Sequence, residues 1–240
     1  MKYTTYFRKV NGIPVKMWEI INISKGDKLA LEASAKNLRA YLSVKNGIEL
    51  GSTLNSKSTH SIFDLGGMRL SAGDIIYSSF INNESTIKEI NFLKKIPNHL
   101  EREKVFFATK GPEFDLLSDK SKMDIEDKKF KLSNRMSRTG ALIEGSRLEV
   151  KNGTSDIISD GVSAGTIQLP KDGNMYVLLE DSQRIGGYSR ILNLESTSLW
   201  AFTQLKPGDE FKIVITTIED AQKRLKELNS IFLSNNIFSE

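Results

Sequence analysis

The chain has 240 residues, 34 Lys+Arg against 30 Asp+Glu, a formal net charge of +4 and no cysteine. That length can bury a core without cross-links, and the missing cysteine excludes a disulfide framework, a thiolate zinc site and a cysteine nucleophile. The small basic excess is spread along the chain, unlike a nucleic-acid surface, no apolar stretch approaches the ~20 residues of a membrane span, and Met1-Lys2-Tyr3-Thr4-Thr5-Tyr6 lacks the apolar core of an export signal. A cytoplasmic location is therefore expected.

In chain order, short apolar runs predict strands at 20–23, 29–31, 40–44 and 75–77. Residues 79–104 carry Asn82, Asn83, Ser85 and Pro97 and divide the chain. Ile87, Ile90 and Leu93 at helical spacing predict a short helix at 87–95, bounded by Pro97. A strand follows at 105–108. Pro112 suits a first helical position, which predicts a short helix at 112–117. The charged run 120–131 is expected to be a solvated loop. Strands are predicted at 166–169, 176–179, 191–194 and 211–216. The last element is a helix at 218–232, whose Ile218, Ala221, Leu225, Leu228 and Phe232 form one apolar stripe. Thr216 and Glu219 have capping-box spacing there, and Glu219–Lys223 and Asp220–Arg224 are i,i+4 pairs of favourable order. Short strands separated by turn residues predict a mainly β protein. The expected division is a partial first β-barrel at 1–85, a linker with a short helix at 86–104, and a second barrel with a C-terminal helix at 105–240.

A recurrence supports two related units. Ile23-Ser-Lys-Gly26-Asp27, Leu70-Ser-Ala-Gly73-Asp74 and Leu205-Lys-Pro-Gly208-Asp209 share the pattern apolar-x-x-Gly-Asp, each before a predicted strand. Glycine supplies a positive φ, and an aspartate side chain can accept from nearby amides.

Two apparent chemical motifs carry little. Gly51-Ser-Thr-Leu-Asn-Ser-Lys57-Ser58 nearly matches a phosphate-binding loop, but Ser56 replaces its second glycine and no helical pattern follows. His60 and His99 each sit in a polar, loop-like segment with no orienting carboxylate in view, so surface histidine is the plainer reading. No His/Asp/Glu cluster has metal-ligand spacing.

The informative region lies between Ser133 and Asp209. Ser133-Asn134-Arg135-Met136 follows the strand-like 130–132, with Ser133 to Arg135 in an apparent loop. A guanidinium there could grip a carboxylate or phosphate, or only tie the loop down. Pro170 to Gly173 is a turn between two strands, which places Gln168 and Asp181 near a hairpin. Gly186-Gly187 permits close approach of backbone to a ligand or another strand, or marks a bulge.

Taken in order, Ser133-Asn-Arg-Met, Ser159-Asp-Gly-Val, Gly165-Thr-Ile-Gln-Leu-Pro-Lys-Asp-Gly173, Gly186-Gly-Tyr188 and Gln204-Leu-Lys-Pro-Gly-Asp209 resemble the family of 5-oxoprolinase C subunits. That family includes allophanate hydrolase subunit 2, the matching part of urea carboxylase, and the KipA antagonist of a sporulation kinase inhibitor. Arg39 to Val44, Asn46-Gly-Ile48, Ser56 to Thr59 and Leu65-Gly-Gly67 resemble its preceding block. The resemblance implies cyclophilin-like β-barrels and a B-type, KipI-like β-rich partner, with a third chain completing ATP-driven opening of 5-oxoproline to glutamate. It implies that ATP binds at a site shared with or supplied by partners. Carboxyl transfer to urea and non-catalytic regulation are its alternatives; without an Ala-Met-Lys-Met motif, biotin would arrive on another protein. Arg135, Gln168 and Asp181 are the expected catalytic residues: Arg135 on an anion or oxyanion, Gln168 on the substrate amide, Asp181 on an N–H. Ser133, Asn134, Gly186, Gly187 and Tyr188 are the expected substrate contacts. The family's usual opening block, with Gln-Asp-x-Gly-Arg and Ser-Gly-Ala-x-Asp, does not occur, so the first barrel is expected to be incomplete or finished by another polypeptide. Two segments depart from the pattern: the run Arg135 to Gly145 stands where the family has Arg-Met-Gly-Tyr-Arg-Leu-Glu-Gly and looks like a short insertion, and Asp181-Ser-Gln-Arg-Ile185 replaces Asp-Arg-Gln-Thr-Thr.

Overall fold

A computed structural model describes residues 8–16, 20–33, 37–60, 63, 65–67, 69–78, 104–151 and 153–233, the last three by backbone alone. The predicted helix at 87–95, Pro97 and His99 lie outside the described residues. By contacts the chain forms two compact units, 40–88 and the remainder.

The larger unit owes its shape to alternating apolar residues in its second half. Strands β8 (Val105–Lys110), β9 (Phe130–Met136), β10 (Gly140–Glu144), β11 (Asp156–Gly161), β12 (Thr166–Leu169), β13 (Met175–Leu178), β14 (Ile185–Leu194) and β15 (Glu210–Thr216) form one sheet in the order β11-β14-β12-β13-β10-β9-β15-β8. β8 pairs in parallel with β15 and antiparallel with β14, so the ring closes and β11 hangs from the outer half of β14. Closure removes the edges of the ring's own strands, and β11 remains as an edge strand. Ile167, Leu169, Met175, Val177, Ile143 and Leu132 alternate inward to the core. At one side Phe106, Phe202 and Phe211 meet edge to face, with centroids 5.5–5.6 Å apart, a favoured aromatic geometry.

Three helical elements pack on this barrel. A single 3-10 turn, Phe114–Leu116, realises the expected 112–117 helix. Helix α1 (Asp119–Asp127) corrects the solvated-loop expectation for 120–131. Ser118 caps it, its Oγ accepting from Ser121 N at 3.1 Å, and Ser121 and Ile125 lie four residues apart on its buried face, with Leu117 buried just before the cap. The charges occupy its other faces, so charge density hid a narrow stripe. Helix α2 (Ser196–Phe202) follows β14, and α3 (Ile218–Leu233) realises the predicted C-terminal helix. Its cap is Thr217, whose Oγ1 accepts from Asp220 N at 3.1 Å, rather than Thr216. Arg224 turns from Asp220 to the buried Glu195, with Nη2 2.8 Å from Oε2, and donates to Thr216 Oγ1. Leu228 is buried, whereas Ile218, expected in the same stripe, is exposed.

The same unit also holds the small sheet β2-β1-β3, made from β1 (Arg8–Val10), β2 (Ile13–Pro14) and β3 (Leu29–Leu31). In the 40–88 unit, β4 (Ile48–Glu49) pairs β7 (Tyr77–Ser78), and β5 (Thr59–His60) pairs β6 (Leu65–Gly66). The runs at 20–23 and 40–44 are not strands; Ile20, Ile23, Tyr41 and Leu42 are exposed, with no partner strand among the described residues. Apolar content alone does not make a strand without a ladder to satisfy its amides.

The three Gly-Asp turns share one construction. Ser24, Ser71 and Lys206 each donate their N–H to the aspartate three residues on, at 2.5–2.9 Å. The aspartate amide returns a bond to the same residue's carbonyl at 3.0–3.1 Å, and each glycine has φ between 90° and 96°. Two copies lie in the larger unit and one in the smaller.

Candidate active site

A cavity of about 600 Å³ opens on the outer face of the barrel wall. Gln168 and Tyr176 alternate with the inward residues Ile167, Leu169 and Val177, so they point outward into this space. Arg135, Ser137, Thr139, Asp172, Gln183 and Tyr188 add to the polar part of its lining, and Leu142 and Leu178 supply apolar surface.

Arg135 reaches the cavity through an irregularity. On β9 and β10, Met136 pairs Ala141 and Leu132 pairs Ile143, so the span 132–136 faces 141–143 and two extra residues of β9 must bulge. This corrects the expected loop: Ser133 to Arg135 belong to a strand, and the bulge breaks the alternation that would have identified it. Bulges commonly re-aim side chains beside functional sites. Ser133 is buried and its Oγ accepts from Arg135 N at 3.3 Å, which braces the bulge. Asn134 is exposed and does not line the cavity.

Gln168 is 2% exposed, and its Nε2 has no hydrogen-bond partner among the described residues. An unpaired buried amide costs ~1–3 kcal/mol. Gly186 makes room for it: a Cβ at that position would lie 2.6 Å from Gln168 Nε2. Gly187 packs on Ser159 and Ile157 of β11. Thus the structure brings Arg135, Gln168 and Tyr188 to one cavity, with Gly186 against Gln168 and Ser133 bonded to the Arg135 amide. Asp181 goes elsewhere. Its Oδ1 accepts from Arg138 Nη2 at 3.1 Å, its Oδ2 lies 2.8 Å from Arg138 Nε as an ion pair, and it does not line the cavity.

Residues missed in the sequence hold the strand beside the site. Arg190 lies opposite Gln168 where β14 carries one extra residue against β12. Its Nε and Nη2 meet Glu113 at 2.9 and 2.8 Å, and its Nη1 meets Asp160 at 2.7 Å and Gly161 O at 2.9 Å. The Arg190 side-chain bonds hold the Glu113 carboxyl below its usual range, against a smaller opposing effect of burial. For Asp160 the Gly161 amide comes first and Arg190 second. A cation and two carboxylates in this sequence signalled the network; the 77-residue separation of Glu113 and Arg190 hid the pairing.

The charged groups lining the cavity are Arg135 and Asp172. Burial tends to raise the Asp172 carboxyl, but bonds from Asn174 and Tyr176 outweigh it and leave it lowered. One cation beside one anion does not match the several negative charges of a nucleoside triphosphate. The loop at 51–58 does not supply the difference. Thr53 and Ser56 exchange backbone bonds at 2.9 Å around Leu54 and Asn55, both with positive φ, which is a type I′ turn. Neither the cavity lining nor this loop therefore fits ATP. Among the described residues, no group of three or more His/Cys/Asp/Glu could hold a metal ion, and no helix is long and apolar enough to cross a membrane. His60, expected in a polar loop, lies on β5, half-buried and stacked on Phe63 at 5.0 Å.

The closed sheet with its C-terminal helix defines a mainly β, barrel-type protein. The chain belongs to the carboxyltransferase domain family, subdomains A and B, which it matches over residues 5–215. It is 26% identical over 231 residues to the 5-oxoprolinase C subunit of Haemophilus influenzae, covering 95% of this chain and 72% of that protein. It is also 26% identical to urea amidolyase of Lachancea kluyveri over 241 residues, 91% of this chain but 13% of the longer enzyme. The crystal structure of Kluyveromyces lactis urea carboxylase superposes with a TM-score of 0.85 at 22% identity, covering 98% of this chain and 23% of that one. That likeness defines the fold: mainly β, with a C-terminal helix.

Proposed function

We propose that the chain is one component of an ATP-dependent enzyme that opens the lactam of 5-oxoproline to glutamate, acting only with partner chains. The observation that supports this most is the buried, unpartnered amide nitrogen of Gln168 in a cavity also lined by Arg135. 5-Oxoproline carries one carboxylate and one lactam amide. The Arg135 guanidinium suits the carboxylate, which it can hold by a two-pronged hydrogen bond. The Gln168 N–H suits the lactam oxygen, where negative charge grows as water adds to the carbonyl carbon. Tyr188 bounds the same space. Nucleotide chemistry is assigned to a partner chain, because neither the cavity lining nor the loop at 51–58 fits ATP. The relatives named as the C subunits of 5-oxoprolinases support the reading, since such a name implies companion chains.

A second reading, carboxyl transfer to urea, draws on the family assignment and the urea amidolyase relative. Biotin would then arrive on another protein. The test follows phosphate release and glutamate formation, first with this chain alone and then with co-expressed partner chains. The expected result is silence alone and turnover of 5-oxoproline in the complete assembly. Robust turnover by the single chain contradicts the proposal. Activity on urea with carboxybiotin, and none on 5-oxoproline, establishes the second reading instead.

A further inference from the structure

We infer that the Arg138–Asp181 ion pair is a clasp that fixes one wall of the cavity, which makes both residues positioning residues for the molecule bound there. The inference rests on the reading of the cavity as the substrate site. The wall is the tip of the β9–β10 hairpin. Ser137 and Thr139 of that tip line the cavity, and their hydroxyls lie 2.7 Å apart. Arg138 between them does not line it and reaches instead to Asp181, in the turn after β13. The two segments also meet through backbone: Leu179 N donates to Thr139 O at 3.0 Å, and Asp181 N to Arg138 O at 3.1 Å. Two residues beyond Asp181, Gln183 lines the cavity from the other side of the clasp. One ion pair therefore joins the two stretches that bear Ser137, Thr139 and Gln183. Arg138 also belongs to the run Arg135 to Gly145, one of the two places where this sequence departs from the family pattern.

The pair differs from an ordinary surface contact. Exposed pairs contribute little because two long side chains must be ordered for a screened attraction. Here Arg138 is half exposed, but the Asp181 side chain is only 12% exposed, its Oδ1 accepts from Arg138 Nη2, its Oδ2 lies 2.8 Å from Arg138 Nε as an ion pair, and the main chain on either side is already ordered. Loss of the guanidinium should loosen the tip without opening the barrel, whose core lies on the other face.

The test compares Arg138→Gln, Asp181→Asn and the swapped double variant Arg138→Asp/Asp181→Arg in the reconstituted assembly. In the single variants the Leu179 and Asp181 amides should exchange hydrogen about tenfold faster. The KM for 5-oxoproline should rise about three- to tenfold, with kcat within about twofold. The swapped pair should recover at least half of both effects in logarithmic terms, as expected for directly coupled residues. Unchanged exchange, or faster exchange with an unchanged KM, overturns the inference. If the wild-type assembly does not turn over 5-oxoproline, the proposed function fails separately. The clasp is then judged by exchange and by a spin label at Ser137→Cys, the sole thiol in a chain with no native cysteine. That label should gain mobility in Arg138→Gln, and an immobile label overturns the clasp.

Discussion

Two neighbouring parts of the barrel wall handle polar groups in opposite ways. Around Arg190, the guanidinium bonds two carboxylates and a carbonyl. Around Gln168, directly across the β12–β14 pairing, a buried amide nitrogen has no partner among the described residues. A saturated network fixes geometry, and a buried donor left unsatisfied marks where a ligand supplies what the fold does not. On the proposed reading the more conspicuous charge cluster is the scaffold, and the quieter amide meets the substrate.

The largest effect is expected on the Arg190 side. Arg190→Ala strands Glu113, whose side chain is 14% exposed. Removal of one partner from a buried pair costs about 3 kcal/mol, which should lower Tm by roughly 10 °C in a unit of this size. A melt by circular dichroism checks it, and a Tm within about 2 °C of wild type would demote the network.

Gly186→Ala probes the other side. The new methyl would meet the end of the flexible Gln168 side chain rather than backbone. Turnover should fall at least tenfold while stability changes by less than about 1 kcal/mol, below the usual cost of overpacking a rigid core. A large loss of stability with normal turnover per folded molecule would mean that Gly186 serves only the β11 pairing.

Arg135→Ala comes next. Loss of one charge-assisted contact, about 1.5–3 kcal/mol, predicts a ten- to hundredfold fall in kcat/KM with little change in Tm. Unfolding of the variant would make Arg135 a brace of the β9 bulge.

The smallest effect concerns pH. The Glu113 carboxyl is held below its unfolded value, chiefly by the Arg190 side chain. Its contribution to stability is therefore full above the unfolded value and disappears as pH falls through the folded one. Denaturant titrations from neutral to acid pH should show a steeper loss for wild type than for Glu113→Gln. Parallel curves would remove Glu113 from the acid response.

The sequence was legible where one rule acted alone. Residues 166–169 form β12 with the expected bounds, because four buried residues between turn signals admit little else. The three Gly-Asp turns were legible down to the side-chain bond. Legibility failed where two patterns overlapped. The extra residues in β9 broke the alternation around Ser133 to Arg135 and made a strand look like a loop. In α1 the dense charge concealed Ser118, Ser121 and Ile125. Arg135, Gln168 and Tyr188, singled out in the sequence, line one cavity in the fold. Asp181 was drawn away by Arg138, a pairing across 43 residues that only the folded chain reveals.

If Gln168 stays unsatisfied for the sake of a ligand, Gln168→Leu should separate stability from turnover. Melting temperature and reconstituted 5-oxoproline turnover would be measured on the same preparations. Replacement of an unpaired buried amide by an apolar group of similar size should be neutral or stabilising by about 1 kcal/mol, while turnover falls at least tenfold. A destabilised variant whose folded fraction turns over 5-oxoproline at the wild-type rate would show instead that Gln168 serves the fold and not the ligand.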